Sequence, residues 1–590
     1  MFTENKAERK IFSRIELSVF LLMVISIAFG AYTRFKGLGN WPLATDEFYT
    51  AMSVKNILTE GLPKFETGGY YLRGILFQYI ESLFSLVGGF DEGTLRVLPV
   101  VCNLLSLPAI YLLGRVLGNR LIGFVAVTLI SLSVWEIEFS RFIRMYTVFQ
   151  TIFLWFIYFL YDVIINRNTS SYKWLYVLTI LALFVHEAVV FMSLLLFFPN
   201  ILGFKEKHDK LNILVGGFIF IACLYLYFVG GYYGVRFVEF IGEHFDYYER
   251  FYLPNFYLLK TVYESPSWLF LYVCVWVINA GFLFQLWRVK DVALEKKFLY
   301  LVLVALSLFQ MFGLLVFIFI LAFLANKIDP KDIYTKPIGK LAFCSLGNLI
   351  FWISFGLAND SWIKYFDGLQ SIHARKIFVV LFKFPNIFDS FIYPWLKAMP
   401  ILSMAIFLTA GFLLIYSLLG RLEEKKIVNF FIFVCIFCIF IIGLIKSTYV
   451  STRYSFFLYP LFLLLWIFCL YVLSKRVFYR SKMALYTVFS FLGILFFIVL
   501  EDFNLYHILN IDKLQMNFRT IYSPSVEVHY YRRVDYKTPA EFINKNLLPG
   551  EKVFSTIVPV AFYLKKIDVI YMNKNHPDFM GVLTKDGVRE

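Results

Sequence analysis

The sequence predicts an all-α polytopic membrane protein with about thirteen transmembrane helices and a small C-terminal extracytoplasmic α/β domain. Of the 590 residues, 60% are hydrophobic and 16% are charged, whereas about 25% of residues are charged in soluble domains. Apolar stretches of about 17–25 residues, each long enough to cross ~30 Å of hydrocarbon, recur along the chain. The last part of the chain instead alternates apolar runs with turn residues, which is typical of a folded domain in water.

The N-terminus predicts an uncleaved first span rather than a signal peptide. A basic region at residues 6–14 precedes a long apolar run at residues 17–33, and no small-residue cleavage site follows this run. All seven cysteines lie in apolar segments, so we expect no disulfide bonds in the outer parts of the protein.

The distribution of lysine and arginine predicts the topology. Cytoplasmic loops of membrane proteins carry the excess of these residues, and two apolar regions must turn back within the membrane if every basic connector is cytoplasmic. These regions are residues 172–204, turning near 185–189, and residues 298–326, turning near 310–313. The sequence then predicts a multi-pass protein of the cell (plasma or inner) membrane, with a cytoplasmic N-terminus and an extracytoplasmic C-terminus.

The chain is expected to divide into two domains. These are a membrane domain at residues 1–502, with a first outer loop at about residues 35–93, and an outer domain at residues 503–590. In the outer domain, Thr538 and Glu541 have the spacing of a capping box at the start of a helix. The runs "KVFSTI" (552–557) and "DVIYM" (568–572) predict two short strands separated by a turn.

The first outer loop carries the strongest polar cluster. Asp46 and Glu47 stand side by side in "ATDEFYTA" (44–51), beyond the first span, and Tyr70 and Arg73 follow in "TGGYYLRG". An acidic pair alone is most simply a solvated surface. Because further polar clusters are predicted on the same side of the membrane, we interpret the pair as part of a site.

A second cluster lies at the outer end of the third span, in "EIEFSRFIRMY" (136–146). If this stretch is helical, Arg141 and Arg144 share a face. Two guanidinium groups on one face suit an anionic headgroup, because each binds phosphate oxygens in a bidentate way. Glu138 and Tyr146 belong to the same stretch. The alternative is that these residues are interfacial anchors with aromatic neighbours.

Two further candidates interrupt or end apolar segments. His186 and Glu187 lie within an apolar region, where a charged side chain costs roughly 2.5–3.5 kcal/mol on insertion scales and often marks function. A helix break whose polar groups reach water is an equal alternative. Arg453 and Tyr454 follow at the outer end of a late span, and Arg453 is either a phosphate ligand or an anchor.

Several function classes are excluded. The sequence holds no P-loop and no Rossmann glycine fingerprint, hence no cytosolic nucleotide site, and no HExxH or paired Cys/His set for a dedicated zinc centre. The net charge of +15 belongs mostly to cytoplasmic connectors, which excludes a folded nucleic-acid-binding face. No cofactor is predicted, and a divalent metal is left open.

Three motifs together resemble the GT-C glycosyltransferases. They are "TDE" (45–47) after the first span, "SRFIRMY" (140–146) after the third and "LFVHEA" (183–188) in a broken fifth segment. The similarity is to the branch that contains protein O-mannosyltransferases and bacterial aminoarabinose–lipid A transferases. The stretch at 536–556 also resembles the outer domain of many bacterial members. The resemblance implies a GT-C-like fold.

It also implies an enzyme that moves a sugar from a polyprenyl-phosphate carrier to a protein, lipid or glycan acceptor on the outer face. Asp46 would be the general base, oriented or assisted by Glu47, and such a base typically contributes about 10²–10⁴-fold. Fixed cations, with Arg141, Arg144 and Arg453 as the candidates, would stabilise the leaving lipid phosphate. The candidate substrate-binding residues are Glu138, Arg141, Arg144, Tyr146, His186, Glu187, Tyr70, Arg73, Arg453 and Tyr454.

The sequence departs from both named activities. Aminoarabinose transferases carry an acidic residue after the paired arginines, where this chain has Met145 and Tyr146, and protein mannosyltransferases carry a larger lumenal domain. The sugar and the acceptor therefore stay open. A secondary transporter or flippase for a lipid-linked or small polar substrate is the alternative, since transporters also use broken helices and intramembrane ionisable residues. Their sites lie near the bilayer midplane, whereas the polar clusters here are predicted toward one face.

Overall fold

The computed structural model describes most of the N-terminal third of the chain and parts of the remainder. Its continuous described stretches are residues 6–43, 45–63, 71–197, 209–224, 265–288, 400–418, 455–477, 503–512 and 535–549, with shorter pieces among and after them. Between residues 6 and 477, the described secondary structure is helical. Its helices are α1 (Lys6–Phe35), α2 (Thr45–Glu60), α3 (Ile75–Gly88), α4 (Val97–Leu117), α5 (Arg120–Leu132), α6 (Val134–Ser140), α7 (Tyr146–Ile164), α8 (Tyr172–Leu183), α9 (Val189–Leu195), α10 (Asp209–Leu224), α11 (Pro266–Arg288), α12 (Pro400–Leu418) and α13 (Tyr459–Val477).

Within the described residues, five helical stretches are long and apolar enough to cross a membrane. They are Glu16–Phe35, Thr94–Leu117, Tyr146–Ile164, Pro266–Gln285 and Phe456–Val477. The pair α5 and α6 is bent by 60° and adds a sixth span if the two helices form one. The chain is therefore a multi-pass membrane protein.

The break predicted near residues 185–189 is confirmed. α8 ends at Leu183, and α9 begins at Val189 after a stretch of turns. The Leu76 amide at the start of α3 donates a 2.9 Å hydrogen bond to the Phe184 carbonyl, so the first outer loop contacts this break directly. The second predicted break, near residues 310–313, lies outside the described residues.

The first seven helices form a closely packed group that positions the polar clusters. α4 packs against α5 and α7, and α1 packs against α5. α4 and α5 approach so closely that a Cβ on Gly114 would lie 2.8 Å from the Cα of Gly123, which is the small-residue contact common between membrane helices. The bend after α5 brings α6 against α1 and α4. The turn that follows α6 therefore meets the C-terminal end of α1.

α3 buries polar side chains and exposes apolar ones, which is the reverse of an amphipathic helix in water. The polar side chains of Gln78, Glu81 and Ser85 are buried, whereas Leu86 and Val87 are exposed, Val87 at 93%. An exposed apolar face next to a buried polar one is typical of a helix whose outward side contacts lipid. On the buried face, the Ser53 hydroxyl of α2 donates to the side-chain carbonyl of Gln78.

The C-terminal region contains three short helices and three two-residue strands in its described part. These are α14 (Leu505–Leu509), α15 (Lys537–Asn546), α16 (Val558–Tyr563), β1 (Phe554–Ser555), β2 (Val569–Ile570) and β3 (Leu583–Thr584). The sheet order is β1-β2-β3, with β1 parallel to β2 and β2 antiparallel to β3. The two predicted strands lie where the sequence placed them. The connection is not a simple turn, because parallel neighbours require a crossover, and α16 lies within it.

The predicted capping box at the start of α15 is wrong. α15 begins at Lys537, one residue before the predicted cap Thr538. The carboxylate of Asp535 accepts hydrogen bonds from the amides of Lys537 and Thr538, both at 3.0 Å. Hydrogen bonds from the Thr538 side chain and from these two amides lower the pKa of Asp535. An aspartate two residues upstream reaches the free amides of the first turn and adds a favourable negative charge there.

Candidate active site at the start of α2

Glu47 lies in the first turn of α2, and its carboxylate is fully buried. Arg96, which directly precedes α4, binds this carboxylate with both arms of its guanidinium group: Nε lies 3.0 Å from Oε1 and Nη2 lies 2.9 Å from Oε2. The Ile143 amide donates a further 3.0 Å hydrogen bond to Oε1. Glu47 thus joins the first outer loop to α4 and to the "SRFIRMY" turn.

Arg96 also holds the chain that leads into α2. Its Nη1 donates to the carbonyls of Leu38 and Trp41 at 3.0 and 2.8 Å, and its Nη2 donates to the Pro42 carbonyl at 3.2 Å. Sequence reasoning missed this residue. The available signal was its position, because an arginine at a span end that the sequence predicts to be outer opposes the usual cytoplasmic bias of basic residues.

Asp46 precedes Glu47 in the same helical turn, where the helix dipole favours a carboxylate. The side chain of Asp46 lies outside the described residues. Glu47 therefore has a defined buried partner in Arg96. This ion pair also fixes the backbone of the helical turn that carries Asp46.

Arg141 and Arg144 do not share a helical face, contrary to the prediction. α6 ends at Ser140, and residues 141–145 form a turn into α7. The reason is topological: the chain must change direction between two packed helices, so the helical spacing is not maintained. The two arginines bind different parts of the protein.

Arg141 holds the C-terminal end of α1. Its Nη1 lies 3.1, 3.0 and 2.7 Å from the carbonyl oxygens of Thr33, Arg34 and Lys36, and its Nη2 lies 3.0 Å from that of Gly37. The last carbonyls of a helix lack intrahelical partners, and a buried cation satisfies them well. Arg141 is 2% exposed.

Arg144 instead belongs to an aromatic cluster. Its Nη1 donates to the Tyr71 hydroxyl, and its guanidinium carbon lies 6.0 Å from the ring centres of both Tyr71 and Tyr146. The ring of Tyr146 in turn lies 5.5 Å from that of His186. Arg144 thus contacts the first outer loop directly, and Tyr146 connects it to the broken segment.

Arg73 and Glu187 form an ion pair that links the same two regions. The Nδ1 of His186 accepts the Ala188 amide at 2.9 Å, which fixes the orientation of the imidazole ring beside the Phe149 ring, 5.2 Å away. Arg73 and Glu187 are each only partly buried. These contacts give the first loop, the turn and the break one shared cluster of cations and hydrogen-bond donors.

Glu136 and Glu138 face different surroundings. Glu136 is fully buried and accepts hydrogen bonds from Asn103 at 2.6 Å and from Gln150 at 2.9 Å, so it joins α4, α6 and α7. The Oε1 of Glu138 lies 2.7 Å from the Nε2 of His507 in α14. Burial disfavours the charged imidazole, but the hydrogen bond and charge of Glu138 outweigh burial and raise the pKa of His507 above 6.5.

Tyr70, Arg453 and Tyr454 are outside the described residues. Among the described residues, no group of three or more His, Cys, Asp and Glu side chains has the geometry to hold a metal ion.

Comparisons with known proteins give similarity at the level of solved structures. The sequence matches no protein-family model and no curated protein. The chain is similar to the archaeal oligosaccharyltransferase AglB from Archaeoglobus fulgidus, solved with an inhibitory peptide and a dolichol-phosphate (TM-score 0.46, 12% identity, 91% of this chain). It spans 58% of the length of AglB. It is also similar to ArnT from Cupriavidus metallidurans bound to undecaprenyl phosphate (TM-score 0.35, 14% identity, 94% of this chain and 86% of ArnT). Both neighbours are GT-C glycosyltransferases.

Proposed function

We propose that this protein is an integral-membrane glycosyltransferase of the GT-C type, which moves a sugar from a polyprenyl-phosphate donor to an acceptor on the outer face of the membrane. One observation carries the proposal. The three motifs that resemble the superfamily are far apart in sequence, yet Glu47 accepts the Ile143 amide, and the ring centres of Tyr146 and His186 lie 5.5 Å apart. Tyr71 and Arg73 of the first loop add contacts with Arg144 and Glu187. An acidic residue and several cations thereby converge beside the first span, as acid–base chemistry on a phosphate ester requires.

In this proposal Asp46 is the general base. It takes the proton of the acceptor group while the acceptor atom forms a bond to the anomeric carbon of the sugar. The bond between this carbon and the phosphate oxygen breaks, and the electron pair leaves with polyprenyl phosphate. Glu47 orients Asp46 from the neighbouring position, because its own carboxylate is held by Arg96 and Ile143.

Arg144 and Arg73 are the proposed ligands of the donor phosphate, with Tyr146, His186 and Glu187 setting their positions. Arg144 is held by a tyrosine hydroxyl and lies against aromatic rings, a setting in which a guanidinium keeps its charge and its geometry. The resemblance assigns Arg141 to the donor phosphate. In this proposal, Arg141 instead holds the C-terminal end of α1.

The remaining parts of the proposal concern topology and substrates. We place about thirteen spans in residues 1–502, the N-terminus in the cytoplasm and residues 503–590 in an outer α/β domain. Tyr70, Arg453, Tyr454 and Glu138 complete the substrate-binding residues. The sugar, a divalent metal and the nature of the acceptor (protein, lipid or glycan) stay open.

The test is transfer of radiolabelled sugar from polyprenyl-phosphate donors in membrane vesicles of both orientations. Asp46→Asn should abolish transfer at unchanged expression, while Glu60→Gln serves as the matched control, because Glu60 is an exposed carboxylate on the same helix. Transfer by the wild-type protein that survives in Asp46→Asn would overturn the assignment of the base. Substrate-dependent uptake without transfer from any donor would overturn the enzyme itself.

A further inference from the structure

The C-terminal region packs against the segment that leads into α2. The ammonium of Lys36 lies 2.9 Å from the Asp512 carboxylate, and the Trp41 indole N–H donates to the Ile511 carbonyl at 3.3 Å. The approach is close, because a Cβ on Gly37 would lie 2.5 Å from the Cβ of Asp512. Residues 511–512 thus contact the first part of this segment.

α16 contacts the second part of the segment. The Tyr563 hydroxyl accepts the Leu43 amide at 2.7 Å. The Phe562 ring packs edge-on against Phe48, with ring centres 5.3 Å apart, and lies 6.0 Å from the ring of Phe90. Leu43 is two residues before the start of α2, and Phe48 directly follows Glu47. Two adjacent residues of α16 therefore contact the chain on both sides of the acidic pair.

The C-terminal helices also hold α16 in this place. The Lys537 ammonium binds the Glu92 carboxylate at 2.9 Å, and the Nδ2 of Asn544 donates to the Tyr563 carbonyl at 2.8 Å. Lys537 and Asn544 both belong to α15. Lys537 binds α15 to the first outer loop, and Asn544 binds α15 to α16. These contacts therefore hold Phe562 in place against that loop.

We propose that Phe562 and Tyr563 are positioning residues for Asp46. Phe562 contacts Phe48 in the first turn of α2, and Tyr563 accepts the Leu43 amide just before this turn. Arg96 binds the same turn through Glu47. The inference rests on the proposed function, since it assigns a role in the transfer reaction. Neither residue touches substrate; each acts through the backbone of residues 43–48.

The expected effect follows from the geometry. Removing the Tyr563 hydroxyl leaves the Leu43 amide without this acceptor, and truncating Phe562 removes an aromatic contact of α2. Both changes let the start of α2 move, and a misplacement of about 1 Å costs about 10²-fold in rate. Because the donor phosphate binds elsewhere in the cluster, kcat should fall while KM for the donor stays nearly constant.

The first measurement is steady-state kinetics of the full-length protein. We expect Tyr563→Phe to lower kcat by about 10-fold and Phe562→Ala by more, with donor KM changed less than about twofold. Phe562→Leu should restore part of the lost kcat. The matched control is Phe542→Ala, because Phe542 is an exposed ring of α15. Equal losses in kcat for Phe562→Ala and Phe542→Ala would overturn the proposal.

A second measurement separates this proposal from the proposed function. Amide hydrogen exchange in Tyr563→Phe should become faster in peptides covering residues 43–52 and stay unchanged in α7. Unchanged exchange in residues 43–52 overturns the positioning role, even where the wild-type protein transfers sugar. Faster exchange there, in a protein that transfers no sugar from any donor, supports the contact and overturns the proposed function instead.

Discussion

Replacing Arg96 by methionine should destabilise the protein more than any single change at its surface. Arg96 is 1% exposed and Glu47 is fully buried, so the variant leaves a carboxylate without its cation inside the protein. Removing one partner of a buried ion pair costs about 3–5 kcal/mol. The carbonyls of Leu38, Trp41 and Pro42 lose a charged donor as well. Since these losses overlap, we expect about 4 kcal/mol in total.

The double variant with Glu47→Leu tests the origin of this cost. Removing both partners removes the uncompensated charge, so the double variant should be about 2 kcal/mol more stable than the sum of the single changes predicts. Arg96→Lys keeps the charge without the bidentate geometry and should fall between the wild type and Arg96→Met. The control is Arg115→Met, an exposed arginine at the other end of α4.

The assay is unfolding by dodecyl sulfate in mixed micelles, followed by the reaction of a thiol dye with the buried cysteines Cys223 and Cys469. Arg96→Met should lower the free energy of unfolding more than Arg115→Met does. Equal losses, or losses for Glu47→Leu and Arg96→Met that simply add in the double variant, would refute a stabilising role of the ion pair. Either result would mean that the pair carries little energy despite its burial.

Three further predictions concern residues outside the spans. The pKa of His507 is raised in the folded protein. Protonated His507 therefore stabilises the fold fully below about pH 6.5, and this stabilisation is lost as the pH rises through the raised pKa. His507→Gln should remove this pH dependence of the free energy of unfolding. Burial raises the pKa of Glu81 well above 4.5. The free energy of unfolding should therefore fall as the pH rises above the pKa that Glu81 has in the unfolded chain. Glu81→Gln should remove this pH dependence and raise the free energy of unfolding at pH 8. Asp535→Ala should cost about 0.5–2 kcal/mol in the same unfolding assay through the lost cap of α15.

The sequence predicted one helix break and two strands that the described residues contain. The cytoplasmic bias of lysine and arginine predicted that residues 172–204 turn back near 185–189, and α8 and α9 are separated there. Apolar runs separated by turn residues predicted the two strands β1 and β2 of the C-terminal region. Where a competing local contact existed, the prediction was wrong: Asp535 reaches the amides that Thr538 was expected to cap.

The pairing of side chains could not be predicted, because it depends on the packing of segments that are distant in sequence. Glu47 and Arg96 are 49 positions apart, and no local pattern connects them. Arg141 and Arg144 are close in sequence, but the bend that separates their partners is set by how α6 meets α1 and α7. Whether a buried arginine binds backbone carbonyls or a ligand depends on how these helices pack.

The buried carboxylate of Glu47 has a consequence for how the acidic pair changes over evolution. Asp46 and Glu47 are chemically alike, yet a Glu47→Asp substitution withdraws the carboxylate by one methylene from Arg96 and Ile143. The order of the two residues therefore cannot be reversed by independent neutral steps. In a lineage that loses Arg96, position 47 should lose its charge soon afterwards.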